Sequence, residues 1–377
     1  MSATEFLYVG TFPRAYRSDP ADTAFGVYAW GHDPETGEMS PAGLAPTPRP
    51  GWVTTHPGGR FLYAANEVSE FEGRPGGGVS AFAIDPANGR LSPLGSRPAG
   101  ASVCHCVVDA TGRFLLASAF HSGTVHLFPI EPDGRLGPAL DVHHHRGSSV
   151  HPRRQAGAHA HAVVLDPANR FVLVPDLGTD SVVVYELDGA QGRLVPHPDR
   201  DIRLPPGSGP RHAAFHPSAR FVYLVNEMSA TVTVFSYDAG TAALRALQTV
   251  ATLPDEVTGY RSAAGLAVHP RGDFLYVTTR SRGTSAEPEE RGVDSLVWFA
   301  IDQDSGRLTP RGRVHSGGEV PRSLTIGPDG TRLYVGNQGS GTVTRFDIDA
   351  LTGAPRPTGR AFSTPVPVCL HFATPRP

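Results

Sequence analysis

The residues best able to carry chemistry lie in one stretch of the chain, PRHAAFHPSARFVYLVNE, which begins at Pro210. Arg211 stands at its start and Glu227 at its end. Arginine presents a planar fork of N–H donors that binds carboxylate or phosphate and can stabilise an oxyanion. A glutamate close to such cations stays ionised, because they lower the pKa of its carboxyl group. The pair is therefore typical of a site that binds a small anion and handles protons.

Short antiparallel strands are predicted to position this pair. Residues 211–215, 221–225 and 231–237 alternate in polarity or are rich in β-branched and aromatic residues, and turn residues separate them. The same unit occurs six times, at a spacing of roughly 50 residues, which is the spacing of propeller blades. The copies of its turn and second strand begin at Thr55, Val108, Leu165, Phe215, Val268 and Ile326.

A seventh copy is split between the two termini. Residues 366–375, VPVCLHFATP, are typical of an inner strand, and residues 6–12, FLYVGTF, of a second strand. Residues 26–33 and those around Met39 supply the third and fourth strands. The chain is therefore predicted to be all-β, a single-domain seven-bladed β-propeller over residues 1–377, its ring closed by one C-terminal strand plus three N-terminal strands. A β-sandwich or several small β domains would not explain six copies in phase.

Composition argues against several classes of partner. The formal net charge is −3 and all 33 basic residues are arginine, so no strong field favours nucleic acid or a membrane surface. No stretch approaches the length of a transmembrane helix, and MSATEFLYVG lacks the features of a signal peptide. The three cysteines, Cys104, Cys106 and Cys369, show no framework spacing, which favours reduced thiols and a cytoplasmic location. The oligomeric state stays open, and a monomer is compatible with this architecture.

Propeller geometry selects a set of candidate site residues. If strands a to d run from the channel outwards, the start of strand a and the end of strand b meet on one face, around the channel mouth. The residues at the start of strand a are His105, His159, His161, Arg211 with His212, and Arg322. The residues at the end of strand b are Asn66, Glu67, His121, Asp176, Asn226, Glu227, Arg280 and Asn337. Their convergence predicts a site for a small anionic substrate, such as a carboxylate or a phosphate, and acid–base chemistry.

Other histidine-containing stretches are assigned a structural function. His56, His216 and His269 recur in the turn between strands a and b, on the opposite face, and turn chemistry explains them best. Residues 141–157 contain HHHRGSSVHPRR and link two blades. A solvated loop is favoured there over a lid or a metal site at the three histidines 143–145. The chain has no GxSxG, GxxxxGK[ST] or HExxH motif, and we expect neither a cofactor nor a bound metal.

The chain resembles the seven-bladed propeller lactonases, the bacterial 6-phosphogluconolactonase-like proteins. The similar stretches, which span almost the whole chain, are LYVGTF, HPGGRFLYAANE, VCHCVVDATGRFLL, HAHAVVLDPANRFVLVPDLGTD, GPRHAAFHPSARFVYLVNE and PRSLTIGPDGTRLYVGNQ. The fungal carboxymuconate cycloisomerases share this fold. By motif, the resemblance implies that His161, Arg211, Glu227 and Arg280 are functional, and the propeller geometry selects the same four residues.

The resemblance implies that the chain hydrolyses a sugar lactone, 6-phosphogluconolactone or a close relative, without a metal. His161 would activate the attacking water. Arg211 and Arg280 would hold the phosphate or carboxylate and stabilise the oxyanion. Glu227 would orient the histidine or an arginine, or handle the proton of the ring oxygen.

Three alternatives remain. A cycloisomerase acting on a carboxylated substrate would use the same residues for proton transfer. A metal-dependent sugar lactonase would bind calcium or magnesium through oxygen ligands, although the nearby arginines would repel the cation. The candidate ligands are Glu227, Asn226, Asp176 and Asn337. A non-catalytic propeller would bind its ligand without turnover. Val103 and Ala158 stand where the family usually has proline, and fold alone cannot identify the substrate.

Overall fold

Seven antiparallel sheets follow one another around a ring, as the repeat predicts. The structure is a computed structural model that describes residues 5–13, 25–281 and 292–375. We number the blades 1 to 7 and label their strands a to d from the central channel outwards. The inner strands of neighbouring blades contact one another, so their ends surround the channel mouth.

Blade 1 joins the two ends of the chain. Its inner strand, Pro367–Ala373, pairs with Glu5–Thr11, and Gly26–His32 and Met39–Pro46 complete the sheet. All three pairings are antiparallel. One C-terminal strand and three N-terminal strands therefore close the ring, as predicted, and no open sheet edge is left inside it.

The other blades follow the order of the chain. Blade 2 contains Pro50–Thr55, Phe61–Asn66, Gly77–Ile84 and Leu91–Ala99, with a small hairpin of Glu70–Phe71 and Arg74–Pro75. Blade 3 contains Val103–Val108, Phe114–Ala119, Thr124–Pro129 and Asp141–His144. Blade 5 contains Pro210–Phe215, Phe221–Asn226, Thr231–Asp238 and Ala243–Ala251. Blade 6 contains Ala263–Val268, Phe274–Thr279, Ser295–Ile301 and Leu308–His315. Blade 7 contains Pro321–Ile326, Arg332–Asn337, Thr342–Ile348 and Pro355–Ser363.

Blade 4 has the least regular inner strand. Its four strands are Val164–Leu165, Phe171–Asp176, Ser181–Asp188 and Arg193–Pro196. A 3-10 helix at Pro198–Arg200 follows, and Ile202–Arg203 then pairs with strand c. Ahead of the short inner strand, Ala160 forms an isolated bridge with Asp176. The backbone therefore already runs beside strand b at His161, whose N–H donates to the carbonyl of Pro175.

The hydrophobic core lies between the blades. Among the described residues it divides into seven clusters of buried side chains, and each cluster is shared by two neighbouring blades. A single four-stranded sheet cannot bury both of its faces, so each blade depends on its two neighbours. No helix in the described parts of the chain is long and apolar enough to cross a membrane.

Two recurring side-chain hydrogen bonds tie several blades to the next. A strand b tyrosine donates its hydroxyl to a glycine carbonyl in the following blade at 2.8–3.1 Å, and these tyrosines are Tyr8, Tyr63, Tyr223 and Tyr276. The histidine of each HP turn donates Nε2–H to another glycine carbonyl at 2.9–3.1 Å, and these histidines are His56, His216 and His269. Their Nδ1 atoms accept backbone N–H groups of their own turns, as turn chemistry predicts. The repeated histidines therefore hold the turn and also clamp the next blade.

The interpretation of residues 141–157 as a loop is wrong for its first part. Asp141–His144 is strand d of blade 3 and pairs with strand c. Only residues 145–157 cross to blade 4, and we call this segment the strap. The sequence also predicts long polar connections at residues 13–23 and 281–292. These lie almost entirely outside the described residues.

Candidate functional site

A β-bulge recurs at the start of strand a and turns one residue per blade towards the channel mouth. In blades 2, 3, 5 and 7 the pairing with strand b skips the second residue of the strand. The skipped residues are Gly51, Cys104, Arg211 and Arg322. Bulges redirect side chains in this way, which is why they recur next to active sites. The repeat therefore gives Arg211 and Arg322 equivalent positions in blades 5 and 7.

A second recurring contact fixes the residue that follows strand b. Its N–H donates to the carbonyl of the residue that precedes strand a, in a pairing that occurs in several blades. The pairs are Glu67 with Arg49, Phe120 with Ser102, Glu227 with Gly209, and Gln338 with Val320. All four acceptor residues have a positive φ. This backbone clasp holds Glu67, Phe120 and Glu227 at the rim of the channel.

Glu227 lies inside a cage of three arginines. Its Oε2 is 2.9 Å from Arg211 Nε and 3.2 Å from Arg280 Nη2, and its Oε1 is 2.5 Å from Arg154 Nη2. Glu227, Arg211 and Arg280 are all buried. Burial raises the pKa of the Glu227 carboxyl group, but Arg280, Arg154 and Arg211 outweigh it and hold that pKa well below its usual value. The carboxylate is therefore ionised, and the cage keeps an excess of two positive charges.

His161 lies against this cage as a neutral imidazole. Its Nε2 is 3.8 Å from Glu227 Oε2. Burial, with a smaller effect of Arg211, lowers the pKa of His161 well below its usual value. Its Nδ1 and the Nε of Arg280 are buried and have no hydrogen-bond partner among the described residues. Buried polar atoms are rarely left unpaired, so these two atoms mark the place where a ligand or water would bind.

An aromatic cluster forms the floor of the site, where side chains from non-adjacent blades meet. Trp52 of blade 2 stacks on His105 of blade 3, with ring centroids 4.1 Å apart. His212 of blade 5 lies 5.5 Å from His105 and 5.2 Å from His161. Burial, followed by the charge of Arg211, lowers the pKa of His105 to about 3. The histidines of the floor are therefore uncharged beneath the arginines.

His159 and His121 flank Phe120 at the outer rim. The rings of Phe120 and His159 are stacked, with centroids 4.3 Å apart and an interplanar angle of 6°. His121 and His161 each meet Phe120 edge-on at 5.3 Å. His159 Nδ1 donates to the Phe120 carbonyl at 2.9 Å, and His121 Nδ1 lies 2.5 Å from Ser102 Oγ. One phenyl ring therefore orients three of the candidate histidines.

Glu67 and Arg322 lie together elsewhere on the rim, between blades 2 and 7. Arg322 Nη2 is 3.1 Å from Glu67 Oε2. The guanidinium groups of Arg322 and Arg49 lie over the ring of Phe12, at 5.5 and 4.0 Å from its centroid. The Glu67 side chain is more exposed than that of Glu227.

Asp176, Asn226 and Asn337 hold the ends of the strands. Asp176 is fully buried; its Oδ1 accepts three backbone N–H groups, including that of His159 at 2.8 Å, and its Oδ2 is 2.7 Å from His145 Nδ1. The amide nitrogens of Asn226 and Asn337 donate to threonine hydroxyls within their own blades. A direct contact with substrate would require Asp176 to break these bonds. The asparagine or aspartate that ends strand b therefore has a structural role. In blade 5 the residue that follows it faces the site.

Arg154, Trp52 and Phe120 are site residues that the sequence reasoning did not select. Arg154 lies in the strap, outside the repeat, so no repeated position identifies it. Trp52 and Phe120 do occupy repeat positions, one after the bulge and one after strand b. Both are aromatic, whereas the propeller geometry selects polar and ionisable residues at these positions.

The structure offers no obvious metal centre within its described ranges. No group of three or more His, Cys, Asp or Glu side chains there is arranged to hold an ion. The histidines at 143–145 diverge: His143 pairs with Asp141 at 3.0 Å, and His145 lies between Asp176 and the hydroxyl of Tyr185. His144 is exposed.

Comparison with known proteins identifies a family with this architecture. The family model described as "Lactonase, 7-bladed beta-propeller" matches residues 6–372. The 6-phosphogluconolactonase of Bacillus subtilis is 32% identical over 368 residues, with 97% of both chains covered. That of Pectobacterium carotovorum is 31% identical over 76% of this chain and 79% of its own. The solved periplasmic gluconolactonase of Pseudomonas aeruginosa has a TM-score of 0.88 and 30% identity, over 99% of this chain and 100% of that one. The chain therefore belongs to the lactonase family of seven-bladed β-propellers.

Proposed function

We propose that this protein hydrolyses a sugar lactone that carries an anionic group, 6-phosphogluconolactone or a close relative. The observation that carries the proposal is the Glu227 cage with the neutral His161 beside it, in a chain of the lactonase family. The names of the B. subtilis and P. carotovorum relatives support the phosphorylated substrate.

The charge of the cage favours an anionic substrate. Three guanidinium groups surround one carboxylate, and all but Arg154 are buried. Excess positive charge at the mouth of a low-dielectric channel attracts an anion and raises its local concentration. The same charge stabilises the oxyanion that forms when water adds to a lactone carbonyl.

His161 has the protonation state that a general base requires. Its Nε2 faces Glu227, so a proton on Nε2 leaves the unpartnered Nδ1 as the basic nitrogen. In the proposed reaction, Nδ1 takes a proton from water as the water oxygen attacks the carbonyl carbon. The C–O bond of the ring then breaks, and the imidazolium returns the proton to the departing ring oxygen. The products are a carboxylic acid and a hydroxyl group.

Arg280 and Glu227 assist this reaction in different ways. The unpartnered Nε–H of Arg280 is a donor available to the oxyanion. Glu227 stabilises the imidazolium that His161 becomes after proton transfer, since its Oε2 is 3.8 Å from His161 Nε2. It also keeps Arg211 and Arg280 in fixed orientations.

Lactone hydrolysis tests the proposal directly. We would measure acid release from 6-phosphogluconolactone and from gluconolactone in a pH-stat, with and without EDTA, subtracting the spontaneous rate. EDTA-resistant turnover that prefers the phosphorylated lactone is expected. His161→Gln is expected to lose about a hundredfold or more in kcat, the usual contribution of a general base. Absence of turnover with both lactones, or full activity of the His161 variant, would refute the assignment.

A further inference from the structure

The strap brings Arg154 to the site by a set of fixed contacts. His145 Nδ1 is 2.7 Å from Asp176, the hydroxyl of Ser149 donates to Asp180 at 2.6 Å, and Gln155 Nε2 donates to the Leu177 carbonyl at 2.9 Å. All three acceptors belong to blade 4 at the end of strand b or just beyond it. These contacts fix the position of Arg154, although Arg154 lies outside the blade repeat. Arg154 is therefore a built part of the site.

Arg154 differs in exposure from the other two arginines of the cage. Its side chain is 36% exposed, against 3% for Arg211 and 3% for Arg280. The N–H groups of the inner pair are largely used within the protein: Arg211 donates to Glu227 and the Ala264 carbonyl, and Arg280 also donates to Ser262 Oγ at 2.6 Å. Because Arg154 is the most exposed of the three, its guanidinium can approach a ligand at the channel mouth while Nη2 stays on Glu227. A doubly charged group costs less to desolvate at the rim than in the buried interior.

Two histidines, His159 and His121, lie together at the rim, and the charge of Arg154 acts on His121. The Nδ1 atoms of His159 and His121 are both engaged, with the Phe120 carbonyl and with Ser102, which directs each Nε2 away from those contacts. The two ring centroids are 6.3 Å apart. Partial burial, with smaller effects of His159 and Arg154, lowers the pKa of His121, so these three groups share one electrostatic environment. The charge of Glu67 raises the pKa of His121, and Arg322 pairs with the Glu67 carboxylate.

We propose that Arg154, His159 and His121 form an outer subsite that binds the phosphate of the substrate, while the inner cage acts on the lactone carbonyl. The inference rests on the proposed lactonase activity. It places phosphate binding and hydrolysis of the lactone at different depths of one channel. Phe120 separates the two levels, because it packs edge-on against His161 below and stacks on His159 above. Selectivity for a phosphorylated lactone then resides in the rim and the strap.

Substrate selectivity of an Arg154→Ala variant tests the subsite. The ratio of kcat/KM for 6-phosphogluconolactone to that for gluconolactone is expected to fall by about tenfold to a hundredfold, the value of one hydrogen bond between charged groups. His159→Gln is expected to lower the ratio by a smaller factor. Arg146→Ala is the matched control, since Arg146 is an exposed arginine of the same strap. An equal loss with both lactones would mean that Arg154 acts only through Glu227, and an unchanged ratio would also overturn the proposal.

A binding measurement separates this inference from the proposed activity. Calorimetry with 6-phosphogluconate and gluconate needs no turnover. The wild-type protein is expected to bind the phosphorylated acid more tightly, and Arg154→Ala to abolish that difference. If the wild-type protein hydrolyses neither lactone but shows this preference, the lactonase assignment fails and the subsite stands. If it shows no preference, the subsite is wrong whether or not the lactones are hydrolysed.

Discussion

Glu67 and Glu227 stand at the same position of the repeat, and the structure makes different sites of them. Both follow an asparagine that ends strand b, in AANE of blade 2 and LVNE of blade 5. Both are held by the same backbone clasp. Yet Glu227 is surrounded by three arginines with its side chain 6% exposed, whereas Glu67 pairs with Arg322 and is 21% exposed.

The difference originates at the bulge of the same blade. In blade 5 the skipped residue is Arg211, which bonds to Glu227 at 2.9 Å. In blade 2 it is Gly51, and a Cβ added there would lie 2.7 Å from Glu67 Oε2. Glycine at this position leaves room for the Glu67 carboxylate, and its cation comes from blade 7. The repeat thus determines where a glutamate stands, and its neighbours determine whether it is buried among cations.

Among the variants considered, replacement of each glutamate by glutamine is expected to give the largest difference in kcat between the two positions. Glu227→Gln leaves the buried arginines without their counter-charge and removes the partner of the His161 imidazolium. We expect a loss in kcat of about a hundredfold or more, which is typical when one charge-stabilising group is removed. Glu67→Gln should change kcat far less, because its carboxylate is more exposed than that of Glu227.

Thermal unfolding controls for structural damage in these variants. Breaking a buried ion pair costs roughly 3–5 kcal/mol, so Glu227→Gln should also lower the melting temperature. Activity is therefore compared well below both melting temperatures. Equal loss of activity in the two variants would show that repeat position, and not environment, determines function.

The arginines that contact the two glutamates should also differ. Arg280 Nη2 contacts Glu227 Oε2 at 3.2 Å and Ser262 Oγ at 2.6 Å, and its Nε remains for the substrate. Lysine has a single nitrogen and cannot reproduce this geometry. We expect Arg280→Lys to lose about tenfold in kcat, the value of one such hydrogen bond. Arg322→Lys should lose less, because one ammonium group can still pair with Glu67. Steady-state kinetics of both variants would detect a reversal of this order.

The fold was predictable because it is repeated. Six in-phase copies of a turn and two strands define the blades, and complementary termini define the closing one. Asp141–His144 escaped prediction because three consecutive histidines do not resemble a strand, although their register with strand c places them in one. The outer strands carry the weakest pattern, since most of their residues are exposed or only partly buried.

The site was predictable where the repeat determines it and unpredictable elsewhere. His161, Arg211, Glu227 and Arg280 occupy strand ends, and the structure brings all four together. Arg154 comes from an insertion between blades, so its contact with Glu227 depends on how the strap folds. The cytoplasmic location stays a prediction, and the P. aeruginosa neighbour is periplasmic.

The smallest expected effect concerns the uncharged floor beneath Glu227. Burial lowers the pKa of His105 to about 3, whereas an unfolded histidine has a pKa of about 6.5. Below about pH 6.5 the unfolded chain therefore binds a proton that the folded protein does not, and stability falls as the pH decreases, by about 1 kcal/mol per pH unit for this one group. Urea unfolding between pH 7 and 5 should show a shallower pH dependence for His105→Phe than for the wild-type protein. Identical slopes would mean that His105 is charged in the fold and that the floor adds its own positive charge to the site.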